Sequence, residues 1–295
     1  MNEVHFKHIV QQAAPQLQDY LKGRIHGIGL QQLESLFHQE RILLNQQPAR
    51  PEMPVKAGDC IDLYRRYLAQ ILPEAIPIEK IYEDEHLLVI NKAAGMPVHP
   101  GLGHHQGTLL HALAYYYQQT GQVQALLRAA IVHRLDKDTS GLLVLAKTKK
   151  SKTALESMFR KGEIKRIYHA WVWGIPAPEK GSIHLAIGRN PWQPKLITPD
   201  PSGAWGKPAL THYRLCAIKD QKSLLELQPE TGRTHQLRVH LHAIGHGIIG
   251  DCRYVQAEPC SKSRLLLHAS RLTFEHPFTG ILLELDSPAP FTAPA

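Results

Sequence analysis

The stretch KRIYHAWVW, residues 165–173, alternates without a break: Ile167, His169, Trp171 and Trp173 face one way, and Tyr168, Ala170 and Val172 the other. A period of two is the signature of a strand with two distinct faces. This run constrains the fold because more of its kind follow: LTHYRLCAI, SLLELQP, RLLLHASRLTF and GILLELD are all of strand type, with Gly or Pro nearby. HLLVIN (86–91), AAIV (129–132) and LLVLA (142–146) are shorter apolar runs of the same character. Helical signals are fewer. Thr108 can cap a helix that aligns Leu109, Leu110, Leu113 and Tyr117, with Gly121 at its exit. Thr148 can cap another, marked by Leu155, Met158 and Phe159 and ending near Gly162. Strands outnumber helices and no regular βαβ alternation occurs, so an α+β architecture is expected, with a mixed, largely antiparallel central sheet and flanking helices.

Two units are expected. ILPEAIPIEK, with Pro73 and Pro77, reads as a joint between a small N-terminal unit (1–75) and a larger one (76–295). The small unit mixes short helical patterns with RILLN and VKAGDCIDLY. Charge divides the same way. Residues 1–75 carry eight basic and eight acidic side chains, so the whole formal surplus of +8 belongs to 76–295. Lys147 to Arg166 alone holds eight basic residues against Glu156 and Glu163. Such density suits a polyanion, because each neutralised phosphate releases counterions, although a solvated lysine-rich helix face has the same composition. Cys60, Cys216, Cys252 and Cys260 are scattered without a CxxC pair, so neither a disulfide framework nor a zinc site is expected. The first residues lack the basic start and apolar stretch of a signal peptide, no run has the length of a membrane span, and a cytoplasmic location is expected.

Two stretches carry candidate chemistry. In HRLDKDTSGLLVL (133–145), Asp136 stands among basic neighbours on a loop expected between the AAIV and LLVLA strands, where a rigid scaffold displays reactive groups. LQPETGRTHQLRVHLHAIGH (227–246) fits a strand through Leu237, Val239, Leu241 and Ala243, or a helix through Leu237, Leu241 and Ile244. Thr234 as cap and Gly245 as stop favour the helix, which puts Arg233 at its electropositive N-terminus. His235, His240, His242 and His246 invite a metal hydrolase reading. No Asp or Glu lies between Glu230 and Asp251 and HExxH is absent, so no metal is expected.

These blocks resemble the RluA-type RNA pseudouridine synthases. HRLDKDTSGLLVLAKT is similar to that family's central motif, and YEDEHLLVINKAAGMPVHPG, KRIYHAWVWG, PETGRTHQLRVHLHAIGHGIIGD and RLLLHASRLTFEHPFTG follow the family's order, spanning residues 82–280. The resemblance implies an isomerase that turns uridine in structured RNA into pseudouridine, with no cofactor, no metal and no protein partner. It implies Asp136 as nucleophile or base, Arg233 as its charge partner, and Tyr168 stacked on the uracil as a candidate for proton transfer. Arg134 would fill the gap left by a flipped nucleotide. His133, Lys165, Gln236 and Arg238 are expected to contact RNA or support the site. Ribosomal RNA of the large subunit (23S) is favoured over transfer RNA. Two departures stand out. Ala93 occupies a place where the family usually has proline, and the N-terminal unit has LQQLESLFHQE where a basic helix is expected, as in a diverged RNA-binding domain or a structural extension. A noncatalytic RNA binder on the same fold is the alternative reading.

Overall fold

Residues 4–291 are described by the computed structural model, except 23, 25–29, 39, 65–70, 101–103, 105, 119–129, 194–195 and 256–263. The chain forms two compact units, Met1–Ile71 and Leu72–Ala295. In the first, β1 (Val4–Ile9), β2 (Ile42–Leu44), β3 (Gln47–Pro48) and β4 (Cys60–Tyr64) make an antiparallel sheet of order β1-β4-β2-β3. The helices α1 (Leu17–Leu21) and α2 (Leu30–His38) accompany it. Its own core gathers Leu17, Leu21, Leu33, Ile42, Ile61 and Leu63.

The second unit begins with β5 (Glu79–Glu83), β6 (Leu87–Lys92) and α3 (Leu109–Tyr117). It continues through β7 (Ser140–Ala146), α4 (Lys149–Lys161), β8 (Lys165–Trp173), β9 (Lys180–His184), β10 (Ile187–Arg189) and β11 (Ile197–Pro199). β12 (Leu210–Lys219), β13 (Lys222–Pro229), α5 (Gln236–Ala243), β14 (Leu267–Glu275) and β15 (Leu282–Asp286) complete it. Nine of these strands form one sheet, ordered β5-β6-β7-β14-β8-β13-β12-β9, with β15 paired to β14. The β7–β14 pairing is parallel and the other pairings in this sheet are antiparallel. A mixed, largely antiparallel α+β fold is what the strand-rich pattern predicts.

Local chemistry explains the elements. Every residue of β7 is buried, which is why LLVLA is continuously apolar instead of alternating. α4 packs Leu155 and Met158 into the core shared by β6, β7 and β14. Its N-terminus is capped by Thr148, whose hydroxyl accepts from the Ser151 amide at 3.0 Å, and its end is turned by Gly162 at φ 73°. Thr108 does precede α3, but its hydroxyl bonds His111 Nδ1 at 2.7 Å and makes no backbone cap; Gly121 lies outside the described residues. The expected AAIV strand does not form among the described residues. Of its described residues only Ile131 pairs with the sheet, through a single bridge to Leu145, so the loop carrying Asp136 is flanked by a strand at its C-terminal side alone.

Candidate active site

Asp136 sits one tight turn before β7, where the Thr139 amide donates to the Asp136 carbonyl at 3.2 Å. The strand after it is locked by Gly141. Its φ is +110°, and a Cβ there would stand 2.3 Å from the Ala269 carbonyl oxygen, so only glycine lets β7 approach β14 in parallel. A buried cation fixes the turn from beneath. Lys92, 1% exposed at the end of β6, donates to the carbonyls of Ala93 at 2.8 Å, Met96 at 3.0 Å and Lys137 at 3.0 Å. Burial pulls its ammonium down to about 8, against the opposing charges of Asp138 and Asp136. The Gly95 amide also donates to the Lys137 carbonyl, at 2.9 Å. With three carbonyls already engaging Lys92, alanine in place of proline at position 93 leaves this turn held.

The turn opens on a cleft of about 1660 Å³ whose lining includes Asp136, Tyr168, His235, Arg238, Asp251 and Arg264. Arg238, on the buried side of α5, reaches Asp136 with Nη1 at 3.2 Å from Oδ2. Its other edge grips Asp251 in a fork, Nε to Oδ2 and Nη2 to Oδ1, each at 2.8 Å. Burial works against the guanidinium charge, but the bonds and charge of Asp251 and then of Asp136 outweigh it, and the group is raised above its usual range. Asp251 is lowered despite its burial, because Arg238 and the amides of Arg253 and Tyr254 donate to it. The Gly250 backbone sets this up: at φ +77° it brings the chain so close to Arg264 that a Cβ would meet the Arg264 carbonyl oxygen at 2.0 Å.

The partner of Asp136 is therefore Arg238, and the expectation for Arg233 is corrected. Arg233 is exposed on the loop before α5, and its Nε donates to the Pro208 carbonyl at 3.2 Å. Arg233 lies ahead of the first helical turn and Arg238 inside the helix, on its buried face. The helix reading of this stretch holds, but the residue at the cap is His235 in a left-handed conformation, not Thr234.

Other expected residues divide between cleft and scaffold. Tyr168, 8% exposed on β8, lines the cleft, and burial raises its phenol, with Arg166 opposing and Asp136 adding to the rise. Arg134 is exposed at the cleft. His133 also borders it, yet its Nε2 accepts the Val144 amide at 3.0 Å and its ring lies 4.4 Å from Phe159, so it braces β7 and is not a free RNA contact. Burial drops it to about 3. Lys165 is absent from the cleft lining because it lies on the opposite face of β8 from Tyr168; Arg166 occupies the cleft side. Gln236 is buried and spent on structure, accepting from the Thr231 hydroxyl and Arg233 amide and donating to the Leu210 carbonyl and Thr211 hydroxyl. The histidines of this stretch diverge. His240 bonds Thr211 and the Leu185 carbonyl, and His246 bonds the Trp173 carbonyl. Among the described residues no three His, Cys, Asp or Glu side chains gather to hold a metal. Asp251 and Tyr254 were missed by sequence reasoning; the only signal was the GD pair closing the HGIIGD block.

Comparison with known proteins identifies the family. Residues 86–243 match the family model described as RNA pseudouridylate synthase. An RNA pseudouridine synthase of Chlorobaculum parvum is 36% identical over 292 residues, covering 92% of this chain and 89% of its own length. Ribosomal large subunit pseudouridine synthase D of Zymomonas mobilis is 39% identical over 251 residues, covering 81% and 78%. Among solved structures, human RNA pseudouridylate synthase domain containing 1 superposes with a TM-score of 0.62 at 28% identity, covering 74% of this chain and 86% of that one. The class these comparisons define is that of RNA-modifying isomerases. The chain belongs to the RNA pseudouridine synthase family, whose members convert uridine in RNA to pseudouridine.

Proposed function

We propose that the chain isomerises a uridine of large-subunit ribosomal RNA, with Asp136 as the reacting carboxylate and Arg238 as the group that orients it. The observation carrying this is the continuous Asp136–Arg238–Asp251 chain at 3.2 and 2.8 Å on the wall of one cleft. The reaction breaks the bond from C1′ to N1 and forms one from C1′ to C5; a proton leaves C5 and N1 gains one. No electron or energy source is consumed. Asp136 serves either as nucleophile or as base, and Arg238 fixes one of its oxygens while Asp251 and the α5 backbone fix Arg238.

The reacting atoms of a stacked uridine are out of reach, so the nucleotide must flip into the cleft. Tyr168, held neutral by burial, offers a ring to the uracil and a hydroxyl to its edge. Arg134, exposed beside Asp136, suits the vacated stack. The surplus charge of 76–295 supplies affinity for phosphates, while the N-terminal unit, balanced in charge, contributes little of it. The relative in Zymomonas mobilis bears a large-subunit name, which supports ribosomal over transfer RNA; an RNA substrate also implies action in the cytoplasm. Among the described residues no helix is long and apolar enough to cross a membrane. The test is carbodiimide mapping of pseudouridine in RNA from cells lacking the gene. One large-subunit site should vanish, return with wild type and stay absent with Asp136→Asn. Restoration by Asp136→Asn, or loss of a transfer RNA site instead, contradicts the corresponding part of the proposal.

A further inference from the structure

His235 has a backbone that histidine does not favour and a side chain that the reading above leaves unused. Its φ is 55° and ψ 20°, a left-handed conformation that Gly or Asn adopts more readily. Among the described residues the other non-glycine positions of positive φ are Glu40, Asn45, Gln46, Asp220 and Gln221, and of all six only His235 lines the cleft. This conformation sends the imidazole between two groups. Nδ1 is 2.7 Å from the Tyr254 hydroxyl, and Nε2 is 4.0 Å from Oδ1 of Asp136, the carboxylate oxygen that Arg238 does not hold.

The direction of the Tyr254 bond follows from what faces the other nitrogen of the imidazole. Burial pushes the Tyr254 phenol up to about 12, so the hydroxyl keeps its proton at neutral pH and can donate it. The Asp136 carboxylate oxygen facing Nε2 favours the tautomer with its hydrogen on that nitrogen, which leaves Nδ1 to accept from the Tyr254 hydroxyl. A neutral imidazole that accepts at Nδ1 carries its hydrogen on Nε2, the nitrogen facing Asp136. Burial lowers His235, against the charge of Asp136, with Arg238 and Arg253 lowering it further and Asp251 opposing. Tyr254 is itself tied to the same assembly, because its amide donates to Asp251 at 3.3 Å.

We propose that His235 is a positioning residue for Asp136: its Nε2–H, aimed by Tyr254, closes on Oδ1 when the nucleotide enters, so that Arg238 and His235 together fix the carboxylate plane. The inference rests on Asp136 being the reacting group. Catalytic hydrogen bonds that are long in the empty site tighten on the substrate, and 4.0 Å leaves a little over 1 Å to close. Tyr254→Phe removes only the hydroxyl, and His235→Asn keeps a residue that tolerates the left-handed backbone while removing Nε2–H.

The experiment combines steady-state kinetics on RNA with long-range proton–nitrogen NMR of the full chain at neutral pH. The expected result is Nε2–H imidazole in wild type, loss of that preference in Tyr254→Phe, and a fall of about tenfold in kcat for each variant, with KM for RNA unchanged; tenfold is about 1.4 kcal/mol of barrier. Hydrogen on Nδ1 in wild type, or wild-type kcat in both folded variants, overturns the inference. An inactive Asp136→Asn beside two fully active variants removes only this inference, whereas an active Asp136→Asn removes the reading beneath it.

Discussion

The Asp136 cleft and the lysine-rich helix α4 are both dense in charge and close in sequence, yet they are built oppositely. At the base of the cleft, Arg238 and Asp251 are buried and face each other in a two-point fork that fixes the direction of both charges. On α4, Lys149, Lys150, Arg160 and Lys161 are exposed, and the ion pairs nearby are loose, 4.0 Å for Lys152–Glu156 and 3.5 Å for Lys161–Glu163. Burial converts charge into geometry, whereas exposure leaves it as a field. The first arrangement suits chemistry on a flipped nucleotide, and the second suits a backbone of phosphates whose position varies. Even within Lys147–Arg166 the division holds: Lys147 is tied to Glu83 at 2.9 Å, and Arg166 donates to the Pro229 and Thr231 carbonyls, so both belong to the scaffold.

Substitutions can break this contrast. Asp136→Asn should lower turnover by at least about a thousandfold while RNA affinity, measured by filter binding, stays near wild type; joint loss of both would make Asp136 structural. Arg238→Ala strands Asp251 as a buried unpaired charge and should cost about 3–5 kcal/mol, read from the urea midpoint, whereas Arg233→Ala should leave that midpoint in place. Gly141→Ala drives a methyl group into the Ala269 carbonyl from a positive φ and should cost roughly 1–3 kcal/mol, with a matching drop in Tm. Lys149→Gln together with Lys150→Gln should raise KM for RNA without changing kcat. The slope of log affinity on log salt should flatten by about 0.7–0.9 per charge removed. An unchanged slope would mean that α4 does not meet phosphates.

The smallest expected effect concerns acid. His133 falls to about 3 in the folded chain, below an unfolded value near 6.5, so as pH drops below about 6.5 the unfolded chain takes up the proton first. Stability is therefore full above that pH and declines towards 3. His268, which burial lowers to about 4 against the opposing bond to the Ser287 carbonyl, acts in the same direction. Thermal melts from pH 7 to 4 should show a shallower slope in His133→Gln than in wild type.

Much of the scaffold was legible because it depends on neighbours in sequence. The alternation of 165–173, the Thr148 cap and the Gly162 exit are local facts, and each became β8 or an end of α4. AAIV forms no strand for want of length and partners: among its described residues one bridge, at Ile131, is the only pairing with the sheet. The choice between Arg233 and Arg238 was not local. It depends on Asp251, thirteen residues past Arg238, and on a Gly250 backbone that approaches Arg264 closely. The fate of His133 likewise depended on an amide eleven residues away, at Val144. Motif order indicated the chemistry, but only the packing of α5 against the Asp136 turn selected the arginine.

That selection gives the most direct test. Purified protein would be incubated with unmodified large-subunit ribosomal RNA carrying tritium at C5 of uridine, since forming the carbon glycosidic bond releases that hydrogen to water. Wild type and Arg233→Gln should release tritium, Arg238→Gln should release little, and Asp136→Asn none. Release by Asp136→Asn, or loss in Arg233→Gln with Arg238→Gln fully active, would contradict a centre built on Asp136 and Arg238.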